Sequence, residues 1–331
     1  MISNVQKKHK LIKKNGIEYY TIDGMDKIHA EMLRLLKLVD KIAIENNISY
    51  WIAGGSMIGV ARHRGFIPWD DDLDIELLKV DYIRLIKCLT EYCKNNDDVF
   101  LFYPAPQEYN CCNFFASTNC FLRAQGSPSV YPVKVDIRPY NCIKDTEENI
   151  IDNNKIKDIA NRFVFGKSHG FVSDEEFSKI DSKTFFKYYN EEYGLYDAKK
   201  EDAILVPPYY EYSINFEFNY NHLFPLVKSK FEDMLTNIPK EYDYILGRIY
   251  GDYMKLPQIK HRVPTSCEFI SKKMPFRLYL WYFRHNNYSR LRNLLYRFIF
   301  LAYLHGVSNI IKYKYFEKKV QIDSNYEEAE W

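Results

Sequence analysis

Residues 54–77 read GGSMIGVARHRGFIPWDDDLDIEL, and they carry the main indications of fold and chemistry in this 331-residue chain. Two glycines and a serine stand upstream of four aspartates that fall within residues 70–74. Carboxylates this close repel one another strongly unless a cation lies between them. The block therefore indicates a site that binds positive charge.

Hydrophobic periodicity predicts the elements around this block. Apolar residues recur at three- and four-residue steps over residues 25–44, which is typical of an amphipathic helix. Residues 48–54, ISYWIAG, predict a strand, and Ser56 is placed to cap a short helix after it. Residues 72–78, DLDIELL, predict the next strand. This succession of helices and strands predicts an α+β core, a mixed α/β sheet with helices packed against it.

Two of the predicted strands carry acidic residues on one face. The pleat of a strand places Asp72, Asp74 and Glu76 on one side and the intervening apolar residues on the other. Residues 132–139, PVKVDIRP, alternate in the same way and present Asp136 on their polar side. A third aspartate is thus expected on a strand built like the acidic one.

Asp72, Asp74 and Asp136 form the candidate metal site if these strands lie side by side. Magnesium is a hard cation that is commonly held by one or two carboxylates together with substrate phosphates, and manganese accepts the same oxygen ligands. Two such ions can hold the attacking and leaving oxygens of an in-line phosphoryl displacement. We therefore predict a Mg²⁺ or Mn²⁺ cofactor of one or two ions, with these three aspartates as the catalytic residues.

The segment before the acids has the composition of a phosphate site. Glycines let the backbone approach a phosphate closely at a helix N-terminus, where free N–H groups favour an anion. Basic side chains nearby can neutralise a diphosphate. The candidate donor-binding and phosphate-binding residues are Gly54, Gly55, Ser56, Arg62, His63 and Arg64.

The block resembles the motif of the LicD-type and fukutin-related phosphotransferases, which belong to the nucleotidyltransferase (polymerase-β-like) fold superfamily. In this resemblance the Gly54-Gly55-Ser56 turn matches the glycine motif, Asp72 and Asp74 match the metal-binding pair, and Asp136 matches the third acid. The similarity continues through LFPL, FEDM, IPKEYDYIL and YGDYMKLP, between residues 223 and 257, and covers most of residues 25–260. It implies a nucleotidyltransferase-like catalytic core.

The resemblance also implies a reaction. A phospho-alcohol, such as phosphocholine or an alditol or glycerol phosphate, would pass from a CDP-linked donor to a hydroxyl of a cell-surface glycan, releasing CMP. The acceptor would be a capsular polysaccharide, a teichoic acid or a lipopolysaccharide precursor, free or lipid-linked. Asp72 and Asp74 would hold magnesium on the diphosphate, and Asp136 would hold a second ion or help to deprotonate the acceptor. Arg138 stands where the family usually has an aromatic or aliphatic residue, which leaves the donor alcohol and the acceptor sugar open.

Other functions and structures remain open at this point. A true nucleotidyltransferase would use the same acids but attack the α-phosphorus of an NTP, and a catalytically silent protein of this fold would only bind glycans. A calcium loop is disfavoured because Leu73 and Ile75 interrupt the oxygen ligands. By parity Asp71 points to the core, where a capping role fits it better than metal ligation, whereas the role of Asp70 is undecided.

Composition and charge indicate the domain organisation, the partners and the cellular compartment of the protein. We expect an N-terminal segment over 1–24, the catalytic domain over 25–265, and a basic, aromatic, helical C-terminal extension over 266–331. The 46 basic and 44 acidic residues nearly cancel, so no nucleic-acid partner is expected. Seven cysteines and a basic start without an apolar segment favour the cytoplasm. The extension is expected to contact the cytoplasmic membrane face peripherally, since its apolar runs are too short to cross it.

Overall fold

The computed structural model describes five stretches of the chain: residues 9–102, 113–125, 130–149, 194–206 and 217–273. Within them, helices pack against a mixed sheet of seven strands, which confirms the predicted α+β fold. The strands are β1 (Lys10–Lys14), β2 (Ile17–Thr21), β3 (Trp51–Ile52), β4 (Asp74–Leu78), β5 (Val99–Phe102), β6 (Asn113–Ala124), β7 (Val130–Lys144), β8 (Ala203–Val206), β9 (Leu226–Phe231), β10 (Met234–Pro239) and β11 (Ser266–Ser271). The helices are α1 (Met25–Glu45), α2 (Gly54–Ile58), α3 (Lys79–Asn95), α4 (Tyr220–Leu223) and α5 (Tyr242–Tyr250), with a π-helical turn at Gly59–His63 and a 3₁₀ turn at Ile259–His261.

The central sheet has the strand order β11-β6-β7-β4-β3, with β5 paired to β6 and β8 paired to β7. β4 and β7 run parallel, and the other strand pairs described in this sheet are antiparallel. The parallel register places Asp74 beside Asp136 and Glu76 beside Arg138. The two polar faces predicted from alternation therefore form one continuous row.

The hydrophobic core lies on the other face of these two strands. Ile75 and Leu77 of β4 and Ile137 of β7 are fully buried, as are the residues of the apolar stripe along α1. Both α1 and α3 pack against β7 and against each other. Because side chains alternate across a sheet, burial of this apolar face directs the acidic row to the opposite side.

The glycine turn differs from its prediction in one respect. α2 begins at Gly54 with Ala53 as its N-cap, so Ser56 lies inside the helix and does not cap it. Its hydroxyl oxygen instead accepts a hydrogen bond of 3.0 Å from the backbone N–H of Asp74. Ser56 therefore fastens the helix to the start of β4.

The predicted domain boundaries do not coincide with the edges of the sheet. β11 pairs with β6, so residues 266–271 belong to the core sheet and not to a helical extension, because their backbone groups complete its hydrogen bonds. The N-terminal hairpin β1–β2 also joins the fold, since the N–H of Tyr20 donates to the carbonyl of Arg262 at 2.8 Å. The rest of the predicted extension, residues 274–331, lies outside the described residues. No helix within the described stretches is long and apolar enough to cross a membrane.

Candidate active site

The structure brings the predicted acids to one end of the β4–β7 pair. Asp74 is the first residue of β4 and is 6% exposed, and Asp136 on β7 is 7% exposed. The backbone N–H of Asp136 donates a hydrogen bond of 2.8 Å to the carbonyl of Leu73. Asp72 lies two residues before Asp74 and is exposed to solvent. Two buried carboxylates therefore lie side by side on β4 and β7, and the exposed Asp72 is close enough for its charge to act on Asp74.

Basic residues of β7 are paired with these acids. A guanidinium nitrogen of Arg138, Nη2, lies 2.9 Å from Oδ1 of Asp74 and 3.6 Å from Oδ2 of Asp136. The ammonium group of Lys134 pairs with the other oxygen, Oδ1, of Asp136 and lies over the Phe114 ring. Both buried carboxylates are thus neutralised by side chains that alternate with Asp136 along one strand.

The site disfavours the accumulation of negative charge. Burial raises the pKa of Asp74; Arg138 opposes this rise, and repulsion from Asp72 and Asp136 adds to it. Burial likewise raises the pKa of Glu76 to about 7, although the indole Nε1 of Trp51 donates to it at 3.1 Å. The pKa of Asp70 is also raised by burial and by the neighbouring Asp72. A cation bound here would relieve this repulsion.

The glycine turn lies directly against the acids. Gly54 has a φ of +53°, and a Cβ on it would lie 3.0 Å from Oδ2 of Asp74 and 3.8 Å from the hydroxyl of Tyr250. A Cβ on Gly55 would lie 3.5 Å from Oδ2 of Asp70. Glycine at position 54 tolerates the left-handed backbone and keeps open the space beside Asp74.

The donor set suits a hard divalent cation. Asp72, Asp74 and Asp136 offer carboxylate oxygens, and the space kept open by Gly54 borders one of them. Across the described residues, however, no three His, Cys, Asp or Glu side chains converge into a metal-binding group. Asp74 and Asp136 are held in their ion pairs with β7 instead, so metal binding at these residues would require the pairs to rearrange.

The predicted basic residues separate into two kinds. Arg62 is half-buried and donates from Nη1 to the carbonyl of Tyr253 at 2.7 Å and from Nε to His63 at 2.9 Å. Burial and the charge of Arg62 lower the pKa of His63 to about 4, so the imidazole is neutral at pH 7. Arg64 is exposed, with a left-handed φ of +56°, and its guanidinium makes no hydrogen bond or ion pair within the described part of the chain. Arg62 therefore fixes the loop after α5, whereas Arg64 is available to a ligand.

The hairpin β9–β10 supports the loop that leads to the acids. Glu232, in its turn, accepts the N–H of Phe66 at 2.9 Å, and its own N–H donates to the carbonyl of Arg64 at 2.9 Å. The carboxylate passes so close to Gly65 that a Cβ there would collide with it. Phe231 also packs edge-on against Phe66, with ring centroids 4.8 Å apart.

A second support for the loop comes from Asp71, which alternation predicted to point into the core. Oδ1 of Asp71 accepts hydrogen bonds from the N–H and the hydroxyl of Thr265 at 3.1 and 2.8 Å. Its Oδ2 accepts one from the N–H of Ser266, the first residue of β11, at 2.7 Å. On the other side, Nε2 of His29 on α1 is hydrogen-bonded to the carbonyl oxygen of Asp70 at 2.8 Å. Asp71 is therefore a structural anchor for the acidic loop.

Sequence reasoning did not assign site roles to Tyr250, Glu232 or Thr265. The first two lie in the segments YGDYM and FEDM, whose resemblance to the family was visible without indicating any contact. Nothing in the local sequence of Thr265 indicates that it meets Asp71. Those contacts depend on how distant parts of the chain pack together.

Comparison with known proteins agrees with this geometry. Residues 47–171 match the family model described as LicD/FKTN/FKRP, nucleotidyltransferase domain. The chain is 25% identical over 256 residues to the lipopolysaccharide cholinephosphotransferase LicD of Haemophilus influenzae, covering 71% of this chain and 93% of that protein. It is 47% identical over 34 residues to the mouse ribitol 5-phosphate transferase FKRP, covering 10% of this chain and 7% of that protein.

A further relative is more similar over a shorter stretch. An uncharacterized protein of Rickettsia prowazekii is 37% identical over 76 residues, which is 23% of this chain. The match spans only 28% of that protein's length.

The residues that the family model matches include the glycine turn, the acidic loop, β4 and β7. The acidic strands of this chain therefore lie within a segment that matches the LicD/FKTN/FKRP nucleotidyltransferase domain.

Proposed function

We propose that this protein is a metal-dependent phosphotransferase that moves a phospho-alcohol from a CDP-linked donor to a hydroxyl of a cell-surface glycan, releasing CMP. The observation that carries the proposal is the parallel register of β4 and β7, which sets Asp74 beside Asp136 with Gly54 directly against Asp74. Acids on neighbouring strands beside an open glycine turn suit a substrate that combines a diphosphate with a divalent cation.

The named relatives support the class of reaction. One is a cholinephosphotransferase acting on lipopolysaccharide and another is a ribitol 5-phosphate transferase, so the group moved is a phosphorylated alcohol in both. The Haemophilus protein aligns along 93% of its length, and the family model separately matches the residues of both acidic strands. We extend from these relatives only the phospho-alcohol and the glycan acceptor, and leave the particular alcohol and sugar open.

The proposed reaction exchanges one phosphorus–oxygen bond for another. The acceptor hydroxyl oxygen bonds to the β-phosphorus of the donor, the bond from that phosphorus to the bridging oxygen breaks, and CMP leaves with that oxygen. The hydroxyl proton passes to a carboxylate of the site, which is Asp136 in the alternative in which Asp136 does not hold a second ion. Asp72, Asp74 and Asp136 would hold the Mg²⁺ or Mn²⁺, which when bound neutralises charge on the diphosphate and the leaving group.

Protein groups around the acids position the donor. Arg64 is exposed and binds a donor phosphate, while Gly54 and Gly55 let the backbone approach the diphosphate. The loop that carries these groups is held by Glu232, Asp71 and Arg62 through the contacts described above. The cysteines of the described stretches are free thiols, in keeping with a cytoplasmic reaction on a glycan precursor.

The products of turnover test this proposal. Purified protein is incubated with Mg²⁺ and, in turn, CDP-choline, CDP-ribitol, CDP-glycerol, CTP and ATP, and the products are followed by ³¹P NMR and nucleotide chromatography. We expect CMP from one CDP-alcohol, slowly with water as acceptor and faster with a suitable glycan. Pyrophosphate from an NTP would replace the proposal with a nucleotidyltransferase. Release of neither product above the rate of the Asp74→Asn variant would favour a silent glycan-binding protein.

A further inference from the structure

Arg138 lies against one carboxylate oxygen of each of the two acids that a divalent cation would bring together. Its Nη2 lies 2.9 Å from Oδ1 of Asp74 and 3.6 Å from Oδ2 of Asp136, so a single nitrogen bridges acids on two strands. The register explains this position, because Arg138 follows Asp136 by two residues on β7 and stands beside Glu76 of β4. The bridge is therefore built into the sheet.

The surroundings of this bridge shield the two acids from solvent. Asp74 and Asp136 are nearly buried, so little water competes with the guanidinium for their oxygens. Lys134 already pairs with the remaining oxygen of Asp136, and Ser56 holds the backbone at Asp74 in place. A guanidinium and a metal ion cannot both occupy the same side of a carboxylate oxygen, and two positive charges this close would repel each other.

We propose that Arg138 is an internal counter-ion that holds Asp74 and Asp136 in the metal-free protein and competes with the divalent cation for their oxygens. The proposal rests on the metal-dependent function above, and adds to it that the side chain of Arg138 must leave before the cation binds both acids. Arg138 thereby prevents the two buried carboxylates from facing each other unpaired and lowers the affinity of the site for metal. It is a positioning residue that acts through the acids.

Metal affinity in the absence of nucleotide tests the proposal. The full chain is titrated with Mn²⁺, and free Mn²⁺ is measured by electron paramagnetic resonance for the wild type and for Arg138→Met, Arg138→Gln and Arg138→Lys. Both neutral variants are expected to bind Mn²⁺ about tenfold more tightly than the wild type, because the competing charge is gone. Arg138→Lys, which keeps the positive charge beside the acids, should remain within about twofold of the wild type.

Arg123→Met provides a matched control. Arg123 lies in β6 of the same sheet and pairs with Glu268, away from the β4–β7 row, so its loss removes a comparable ion pair without touching the acids. Its Mn²⁺ affinity should equal that of the wild type. As an independent reading, Mn²⁺ should raise the melting temperature of Arg138→Gln more than that of the wild type, since tighter binding to the folded state stabilises it more.

The possible results separate this inference from the proposed function. Unchanged or weaker Mn²⁺ binding by the folded neutral variants, with binding by the wild type, would overturn the counter-ion role and leave the metal-dependent reaction standing. An equal gain in Arg123→Met would also overturn it, because the effect would then belong to any arginine removed from the sheet. Absence of Mn²⁺ binding in every variant at millimolar concentration would overturn both.

Discussion

The acidic row and the loop that delivers it are held by different parts of the chain. Asp74 and Asp136 lie on strands whose alternation is visible in the sequence, and backbone pairing alone sets them side by side. The loop over residues 64–72 is fixed instead by Glu232 and by Thr265, just before β11, which lie more than 150 residues further along the chain. The acidic row thus follows from strand alternation and pairing, whereas the loop before it depends on contacts with distant parts of the chain.

Asp74→Asn is the most direct way to break the acidic row. We expect transfer to fall about 10³-fold, since a carboxylate that holds the cation on the diphosphate is lost. The fold should persist, because the amide relieves repulsion from Asp72 and Asp136. Turnover and circular dichroism are compared with Asp97→Asn, a surface aspartate paired with Lys273, which should behave as the wild type. Near wild-type turnover in Asp74→Asn would remove this residue from the site.

Gly59→Ala tests how closely the supporting loop is packed. A Cβ at position 59 would lie 2.5 Å from the backbone carbonyl oxygen of Gly65, which cannot move without displacing the loop. We expect the free energy of unfolding to fall by about 3 kcal/mol. Urea denaturation measures it, with Gly247→Ala as the control, because a Cβ at position 247 meets nothing within 4 Å. Equal stability of Gly59→Ala and Gly247→Ala would contradict the close contact between position 59 and the carbonyl oxygen of Gly65.

Glu232→Ala removes the hairpin's hold on the loop. The N–H of Phe66 loses its carboxylate acceptor, and we expect the free energy of unfolding to fall by about 2 kcal/mol. Because the loop leads directly to the acids, the turnover number should also fall. Glu232→Gln keeps an acceptor oxygen and should recover most of both losses. A loss of stability with an unchanged turnover number would mean that the hairpin does not position the acids.

Arg62 and Arg64 stand two residues apart and are expected to respond in opposite ways. Arg64→Ala should raise the KM for the donor about tenfold and leave stability unchanged, because its exposed guanidinium has no partner in the described structure. Arg62→Ala should lower stability by about 1 kcal/mol, since its hydrogen bonds to His63 and to the carbonyl of Tyr253 disappear. An unchanged donor KM in Arg64→Ala would remove Arg64 from the donor site.

His63 makes the supporting loop sensitive to acid. Its pKa is lowered to about 4 by burial and by Arg62, whereas the unfolded chain binds the proton near pH 6.5. The neutral imidazole thus contributes stability that is present above pH 6.5 and lost as the pH falls towards 4. We expect the wild type to lose about 1 kcal/mol more than His63→Gln between pH 7 and pH 4.5, after allowance for screening. The same change in the free energy of unfolding with pH in the wild type and in His63→Gln would contradict this expectation.

The sequence predicted the elements that carry a strong period. The helix predicted over residues 25–44 is observed at Met25–Glu45, and the acidic strand is observed at Asp74–Leu78. The strand predicted over 48–54 is reduced to Trp51–Ile52, because α2 begins at Gly54 and ends the pairing. Hydrophobic pattern therefore located the elements, and local turns set their ends.

The candidate site was predicted less completely than the fold. Parity along the two strands placed Asp74 and Asp136 on a common face, and it also placed Asp71 in a structural role. It gave no indication that Arg138 bridges the acids, since an alternating basic residue reads equally well as a solvated surface charge. Ion pairs across strands depend on register, which only the folded sheet determines.

The metal-bound diphosphate is tested by calorimetric titration of the wild type, Asp74→Asn and Asp97→Asn with CDP-choline, CDP-ribitol and CDP-glycerol, each with and without Mg²⁺. We expect one CDP-alcohol to bind the wild type and Asp97→Asn only with Mg²⁺, and Asp74→Asn to lose this dependence. Binding that is equally tight without Mg²⁺, or unchanged in Asp74→Asn, would contradict the assignment of the acidic row to a metal-bound diphosphate.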